Sequence, residues 1–313
     1  MSIWEIAAGG AARAAGAVVR PAAGRLPEIH AAVLDWYAAN GRDLAFRRTR
    51  DPWAILVSEV IAQQTQAARA AEAWTRFIAE FPTPGALAAV SPATVIRAWR
   101  GLGYNSRAVR LREAAIRIVE DHAGRVPETL DELHALPGVG PYTARAVLTF
   151  AFDQPIAPLD TNIRRVLDRA LGPLPAAPKA LQSTADGFVP TGSAAAWGHA
   201  LMDLGATICV ARAPRCDACP IRSLCATRGI GVDPWRAGRP PKMAPRFETT
   251  SRWLRGRILD RLRDAPDGSW VRLDAAIGKH AATSVSGELR RMARDGLLDL
   301  HGDGARARLP SGR

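Results

Sequence analysis

Cysteines, acidic residues and long apolar runs are all scarce in this 313-residue chain. The four cysteines lie between positions 209 and 225, which excludes a disulfide framework for the whole chain and favours a reducing compartment. No apolar run approaches the roughly twenty residues of a membrane span, so we expect a cytoplasmic protein without a membrane partner. Aspartate and glutamate number 30 against 42 for lysine and arginine, a formal net charge of +12. That surplus favours a polyanionic partner, although basic surfaces also occur for solubility alone.

Two stretches without clear periodicity divide the chain. Residues 1–26 are rich in Ala and Gly and contain one acid, Glu5. They lack the apolar core of a secretion signal and are poor in the Ser of a transit peptide, so they indicate a disordered extension or a start codon placed too early. Residues 229–250 hold Gly, Pro and basic residues and are typical of a linker.

The chain is organised around residues 130–169. Pro137 and Gly138 predict the end of one helix, and Gly140 followed by Pro141 predicts a tight turn into the next. The tip of this helical hairpin offers backbone N–H groups, with no side chain on either glycine to keep a phosphate oxygen away. Such a tip binds nucleic-acid backbone without reading sequence. A plain helix-helix corner would use the same residues.

Asp160 lies between the apolar run 156–159 and a helical stretch that starts near Ile163. This is the place of a helix N-cap, for which aspartate is a preferred residue, and capping alone contributes about 1 kcal/mol. The position is therefore compatible with a structural role as well as with chemistry.

A second important stretch begins at Pro52, where we predict a helix that continues through Gln66. In that helix Glu59, Gln63 and Gln66 would share one face, beside a buried apolar stripe. Burial among valine and isoleucine side chains would raise the pKa of Glu59 toward that of a usable acid. The alternative is a solvated glutamate on an exposed strip.

Cys209, Cys216, Cys219 and Cys225 are separated by six, two and five residues. Two cysteines with two residues between them could begin a zinc site. Four thiolates in this short loop also suit a cluster that leaves no open position for substrate chemistry.

Together these motifs resemble the helix-hairpin-helix DNA glycosylases. Residues 136–144, LPGVGPYTA, and 159–162, LDTN, form the more specific pair, and the cysteine spacing is similar to the [4Fe-4S] loop of endonuclease III and MutY. The string SEVxxQQTQ at 58–66 is close to the signature of the adenine-removing branch, the MutY family. The resemblance covers about residues 28–228, roughly two thirds of the chain.

The resemblance implies that Asp160 lies beside the sugar of an extruded nucleotide and that Glu59 protonates the departing adenine. Tyr142 and Asn162 would give positioning and electrostatic support. Tyr142 stands where endonuclease III-like enzymes carry a Schiff-base lysine, so we expect a monofunctional glycosylase. Gln64 would fill the gap in the base stack, and Tyr104 would be the wedge that enters the duplex. The remaining implied residues are Arg47, Ala62, Gln63 and His199 in the base pocket, Thr65, Gly138, Gly140 and Thr143 at the DNA, and the four cysteines around a [4Fe-4S] cluster.

The fold implied by the resemblance is all-α. A six-helix barrel at 47–156 would join a cluster-bearing helical domain formed by 27–46 and 157–228. Residues 251–313 would form a small winged-helix-like unit, with helical patterns near 252–259, 272–279 and 284–295 and two short strands around 302–304. Typical MutY proteins instead carry a C-terminal domain that recognises 8-oxoguanine, and residues 229–313 are too short for it.

The predicted partner is double-stranded DNA with a mismatched or oxidised base pair, bound by a monomer at the nucleoid. The leading hypothesis is removal of adenine opposite 8-oxoguanine or guanine. Ala62 and His199 depart from the family pattern at the pocket, so removal of thymine or uracil opposite guanine is the alternative. A third hypothesis is a non-catalytic DNA-binding protein, against which the retained Glu59 and Asp160 argue.

Overall fold

The computed structural model describes residues 25–230 and 245–311. The predicted N-terminal extension lies outside the described residues except for 25–26, where the first helix begins. The predicted linker is described at 229–230 and 245–250, although the side chains of 229 and 230 are not. The described helices are α1 Leu26–Asn40, α2 Pro52–Ala62, α3 Ala67–Glu80, α4 Pro84–Ala88, α5 Pro92–Ala98, α6 Ser106–His122, α7 Leu130–Ala135, α8 Pro141–Phe152, α9 Thr161–Leu171, α10 Pro178–Asp186, α11 Ala194–Thr207, α12 Ala226–Ile230, α13 Ser251–Asp264 and α14 Ala282–Arg294.

The first hydrophobic core is built from helices α2, α3, α6 and α8 with the short helices between them. Helix α2 supplies its centre because almost every residue of this helix is buried. Asp51 starts α2 as an N-cap by accepting a 2.7 Å hydrogen bond from the Ala54 N–H, and Pro52 occupies the first turn. Trp53 and Trp74 lie in this core with their indole N–H groups bonded to backbone carbonyls.

A second core joins α1 to α9 and α11. Ile29 and Val33 of α1 pack with the buried faces of α9 and α11, which include Leu167 and Trp197. Ile221, from the cysteine-containing loop, also belongs to this core. The chain therefore passes from α1 in the second core into the first core and returns to the second after α8.

The C-terminal unit is a helix pair covered by a small antiparallel sheet. Strands β1 Val271–Arg272, β2 Asp299–Leu300 and β3 Arg306–Arg308 pair in the order β1-β3-β2. Ala307 at the centre of β3 faces Val271 on one side and Leu300 on the other. The third core lies between this sheet and helices α13 and α14.

The helix predicted near 272–279 is wrong, because this segment forms strand β1, a turn and an isolated bridge between Ile277 and His280. Gly278 adopts φ +58°, and a Cβ atom there would lie 2.4 Å from the Trp253 ring, so only glycine allows the turn to pack on α13. The predicted continuation of α2 through Gln66 is also wrong. The helix ends at Ala62, and Gln64 has φ +58°, which a helix cannot contain.

Within the described ranges no helix is both long and apolar enough to cross a membrane.

Candidate active site

Glu59 lies in the last turn of α2, and its side chain is half-buried. Dense protein surroundings raise its pKa to about 7 because they desolvate the charged form, and the negative charge of Asp160 acts in the same direction. A hydrogen bond with Tyr142 and the charge of Arg47 oppose this rise. Near neutral pH this carboxyl group is therefore able both to give and to take a proton.

Asp160 is the N-cap of α9, as predicted. One carboxylate oxygen accepts the Ile163 N–H at 2.7 Å, and the other accepts the Asn162 side-chain amide at 2.9 Å. Asn162 in turn accepts a 2.8 Å hydrogen bond from Arg165 through its own amide oxygen. Gly205 allows α11 to approach this turn, since a Cβ atom there would lie 2.8 Å from the Cβ of Asn162. The orientation of the Asp160 carboxylate is thus fixed by its own helix.

Tyr142 connects the two acids. It is half-buried in the first turn of α8, and its pKa lies well above the ordinary value because of burial, with the charges of Glu59 and Asp160 adding to the effect. The phenol is consequently neutral and hydrogen-bonded to Glu59. Glu59 and Asp160, distant in sequence, are thus close enough for their charges to act on each other and on Tyr142.

The predicted pocket residue Arg47 is held by a carboxylate that the sequence analysis missed. Asp203 of α11 has a fully buried side chain and accepts two hydrogen bonds of 2.8 Å from the Arg47 guanidinium. It also accepts a backbone and a side-chain hydrogen bond from Arg42, at 2.8 and 2.7 Å. These cations and hydrogen bonds hold the pKa of Asp203 below its ordinary value although burial alone would raise it. The one available signal was its position four residues after His199, on the same helical face.

His199 lies in the same region and stacks on Phe150 with ring centroids 4.1 Å apart. Burial, reinforced by the nearby charge of Arg47, lowers its pKa to about 3, so the imidazole is neutral. Ala62 is partly buried against the first core, and Gln63 donates a 3.3 Å hydrogen bond to the Thr143 hydroxyl.

Tyr104 and Gln64 lie on two neighbouring loops, both in the left-handed backbone region, with φ +44° and +58°. Tyr104 is 42 % exposed, unusual for an aromatic ring, and Gln64 is exposed as well. Arg107, which the sequence analysis also missed, connects these two loops by hydrogen bonds. Its guanidinium donates to the carbonyls of Val60 and Gln63 at 2.7 and 2.6 Å and to those of the 102–103 segment.

The hairpin between α7 and α8 has the predicted form, but the glycine with left-handed backbone conformation is Gly138. Gly138 has φ +79°, and a Cβ there would lie 2.9 Å from the Arg110 side chain. Gly140 has an ordinary φ of −88°, so the predicted tight turn does not occur at this residue, although nothing fills the space beside it. Thr143 is 2 % exposed, and its hydroxyl accepts the hydrogen bond from Gln63. Thr65 is half-buried in the turn after α2.

The four cysteine side chains line one cavity of about 500 Å³, bordered by Arg169 and Arg222. None of the four is in a disulfide. In the parts of the chain that the structure describes, no three ligand-type side chains converge on a point that a single metal ion would occupy. Tetrahedral zinc needs such convergence, since its Zn–S distance is about 2.3 Å.

Comparison with known proteins agrees with this geometry. Residues 57–190 match the family model of the HhH-GPD superfamily base excision DNA repair proteins. An adenine DNA glycosylase of Mycobacterium tuberculosis is 41 % identical over 286 residues, 87 % of this chain and 93 % of that protein. A thymine-DNA glycosylase of Aeropyrum pernix is 36 % identical over 64 % of this chain and 95 % of its own length. A solved thermostable thymine-DNA glycosylase superposes with a TM-score of 0.62 at 30 % identity, covering 66 % of this chain and 98 % of that one.

The fold and these comparisons thus define a base excision DNA glycosylase with the helix-hairpin-helix architecture, and the predicted fold class is confirmed. Within that superfamily the chain belongs to the adenine DNA glycosylase family.

Proposed function

We propose that this protein hydrolyses the N-glycosidic bond of adenine mispaired with 8-oxoguanine or guanine in double-stranded DNA. The observation that carries the proposal is the pairing of Glu59 with Asp160, in which the pKa of Glu59 reaches about 7. A site that only binds DNA needs neither a buried proton donor nor a second carboxylate beside it. The base lies inside a duplex, so it must be flipped out before it reaches these groups.

Asp160 would stabilise the positive charge that develops on the sugar as the bond breaks, as carboxylates do in other glycoside hydrolyses. At about 4 Å and an effective dielectric of about 20, a carboxylate contributes on the order of 4 kcal/mol to such a cation. This is roughly a thousandfold in rate and falls short of typical enzymatic accelerations, so a second group is required.

Glu59 supplies that second group. A protonated carboxyl group at the purine N7 makes the base a better leaving group, and such general-acid catalysis typically contributes about 10²- to 10⁴-fold. Tyr142, neutral at all ordinary pH values, would orient the Glu59 carboxyl through their hydrogen bond. Asn162 would orient Asp160 in the same way. Arg47 and His199, with Ala62 and Gln63, would line the pocket for the extruded base.

We further propose a monofunctional enzyme, because strand cleavage by β-elimination requires an amine that attacks the sugar. Tyr142 occupies the place where the endonuclease III-like pattern has a lysine. Moreover, the chain has no lysine before Lys179. Lys179 begins the exposed N-terminal turn of α10, outside the elements that carry Glu59, Tyr142 and Asp160.

Further residues would insert into the DNA duplex and bind the DNA backbone. Tyr104 would enter the duplex, and Gln64 would fill the gap left by the adenine; an aromatic ring recovers part of the stacking energy lost there. Gly138 and Gly140 would present the hairpin backbone to a phosphate, with Thr65 nearby on the α2–α3 turn. We propose that the protein acts as a monomer.

The cysteine cavity fits a [4Fe-4S] cluster held by Cys209, Cys216, Cys219 and Cys225. The spacing of six, two and five residues between these cysteines favours the cluster over a single zinc ion. With four thiolate ligands the cluster would have no open coordination position, so it supplies stability to the loop and no bond-breaking step. Its visible absorption and its iron content would test the assignment, and stoichiometric zinc in the purified protein would contradict it.

The decisive experiment measures activity on a panel of duplexes that differ in one base pair. Full-length protein is incubated with duplexes containing A:8-oxoguanine, A:G and A:T, and abasic product is measured after alkaline cleavage. We expect product from the first two and little from A:T, and without alkali we expect no strand break. Absence of product from every mismatch refutes the proposal.

A second candidate is removal of thymine or uracil opposite guanine, favoured by the likeness to thymine-DNA glycosylases. That likeness covers about the glycosylase part of the chain, whereas the mycobacterial adenine DNA glycosylase matches 87 % of it. T:G and U:G duplexes in the same panel separate the two, since faster release of a pyrimidine than of adenine selects the second candidate.

A further inference from the structure

The residues of the proposed active site come from two different hydrophobic cores. Helices α2 and α8, which carry Glu59 and Tyr142, build the first core, whereas Asp160 begins helix α9 of the second core. The chain crosses between the cores at Ile156, which packs on the first, and Ala157, which is buried in the second. The distance of Asp160 from the other two residues therefore depends on how the backbone is held at this crossing point.

Side chains from two helices hold the backbone at the crossing point. On α10, Asp186 accepts the N–H of Ala157 at 2.8 Å, and Gln182 donates to the carbonyl of the same residue at 2.9 Å. These two side chains are four residues apart, so they lie on one face of the helix, and Gln182 also donates to Asp186 at 2.9 Å. From α8, the Thr149 hydroxyl donates to the Ile156 carbonyl at 2.8 Å. Both backbone polar groups of Ala157 are thus bonded to α10.

Asp186 also connects to the helix that carries Tyr142. The Arg145 guanidinium donates to its carboxylate at 2.8 Å, and the two side chains are only 15 % and 26 % exposed. Arg145 lies three residues after Tyr142, so the two are neighbours on α8. Ala185, next to Asp186, is buried in the second core. One carboxylate therefore joins α8 of the first core, the crossing point and α10 of the second core.

We propose that Asp186 and Gln182 are positioning residues for adenine release. By fixing the backbone at the crossing point, they set the distance of Asp160 from Tyr142 and Glu59. The inference rests on the proposed function and deepens it, since it names two residues outside the acid pair on which the reaction depends. A purely structural role would change the stability of the protein and leave the acid pair as it is.

The ionisation of Glu59 reports this distance. Tyr142, Asp160 and Arg47 act on its carboxyl group, and the negative charge of Asp160 raises its pKa. If Asp160 moves away, this effect weakens and the pKa falls below its value of about 7. The chain has three tyrosines, so labelling the phenol carbon with ¹³C gives three NMR signals. The signal of Tyr142, identified with Tyr142→Phe, follows Glu59 through their hydrogen bond.

The titration is run on full-length protein without DNA for the wild type, Asp186→Ala and Gln182→Ala. The second variant removes a bond to the crossing point without changing any charge. Asp299→Ala is the matched control, because Asp299 also accepts from an arginine and from a backbone N–H, but on strand β2 of the C-terminal unit. Each protein is also compared for its melting temperature and its single-turnover rate of adenine release. Affinity is measured with a duplex that has hydrolysis-resistant 2′-fluoro-deoxyadenosine opposite 8-oxoguanine.

For Asp186→Ala we expect the midpoint of the Tyr142 titration to fall by about half a pH unit, since part of the effect of Asp160 is lost. The rate should fall about ten- to hundredfold with unchanged affinity, because small displacements of a reacting group are costly. Its decline with rising pH should begin at a correspondingly lower pH. Gln182→Ala should show the same changes at a smaller size. Asp299→Ala should have the midpoint and the rate of the wild type, whatever its melting temperature.

A wild-type midpoint in both variants overturns the proposal, even where stability or rate is lower, and so does a shifted midpoint with a wild-type rate. A shift in Asp186→Ala that is absent from Gln182→Ala also overturns it, because the lost charge would then be the cause. If Asp186→Ala does not fold, Gln182→Ala alone decides. The titration needs neither DNA nor turnover. Absence of adenine release by the wild type in the duplex panel would reject the enzymatic proposal, whereas the titration would still show whether these residues set the distance.

Discussion

Charged side chains have opposite environments at the acid pair, Glu59 and Asp160, and in the cavity beside Tyr104, which lies between the Tyr104 loop and helix α13. At the acid pair, carboxyl groups lie in dense surroundings that raise the pKa of Glu59 to about 7. In the cavity, the unpaired groups are arginines that remain open to water, such as Arg252. Proton transfer requires a group whose pKa has been moved toward the working pH, whereas phosphate binding requires only a permanent charge. The comparison predicts that changes at the acid pair alter rate and changes in the cavity alter affinity.

The strongest test of that division is Asp160→Asn. We expect the single-turnover rate of adenine release to fall on the order of a thousandfold, because the charge that stabilises the sugar cation is lost. Asparagine is an equally good N-cap, so helix α9 and the melting temperature should be preserved. DNA affinity should also be preserved. A variant that retained its function would favour the hypothesis of a non-catalytic DNA-binding protein.

Glu59→Gln should lower the rate about a hundredfold or more, since the amide cannot donate a carboxylic proton. Its pH dependence sharpens the assignment. The active form of Glu59 is protonated, so the wild-type rate should be level below pH 7 and fall about tenfold per pH unit above the pKa of about 7. This decline should be absent in Glu59→Gln. A wild-type rate that rises with pH through this range would contradict the role of general acid.

Asp203→Asn should lower the stability of the protein more than the rate of the reaction. Removing the charge leaves Arg47, whose side chain is 7 % exposed, as a buried cation with no full partner. We expect the free energy of unfolding to fall by about 3 kcal/mol, measured by urea denaturation. Asp43→Asn is the matched control, because Asp43 pairs with Arg48 on the open surface and its loss should leave the unfolding midpoint in place.

The smallest effect is expected from Tyr104→Phe. This change keeps the ring that wedges the duplex and removes only the hydroxyl that accepts from Arg252. We expect a loss of affinity of about two- to fivefold, with the rate of the bound complex unchanged, because a hydrogen bond that is exposed to water contributes little even when its donor is charged. A large fall in the rate at saturating enzyme concentration would instead group Tyr104 with Glu59 and Asp160, the residues that alter the rate.

Local signals in the sequence were sufficient for much of the site. Asp160 was predicted as a cap from the apolar run before it and the helix after it, and the structure has that hydrogen bond. Pro137, Gly138 and Pro141 predicted the hairpin, because each of them determines the backbone conformation of only its immediate neighbours. The meeting of Glu59 with Asp160 came from the family resemblance, since their spacing along the chain alone does not place them together.

The errors arose where distant contacts outweighed local preference. Residues 63–66 have helix-compatible side chains, but Arg107 binds the carbonyls of Val60 and Gln63 and stabilises a turn there. The segment 272–279 has a helical pattern, yet Leu273 donates its N–H to Ala305 in the sheet. Asp203 escaped notice because its partner Arg47 is 156 residues away, and no periodicity relates the two.

Helix α11 carries His199 and Asp203 and ends at Thr207, two residues before Cys209. The N–H of Cys209 bonds to the Leu204 carbonyl at 2.7 Å, so the first cysteine is tied to the last turn of this helix beside its C-cap, Ile208. This helix of fourteen residues, about 21 Å long, thus binds Arg47 along its side and leads into the cysteine-containing loop at its end. Loss of the bond between Cys209 and Leu204 would therefore loosen the end of the helix whose Asp203 holds Arg47 in place.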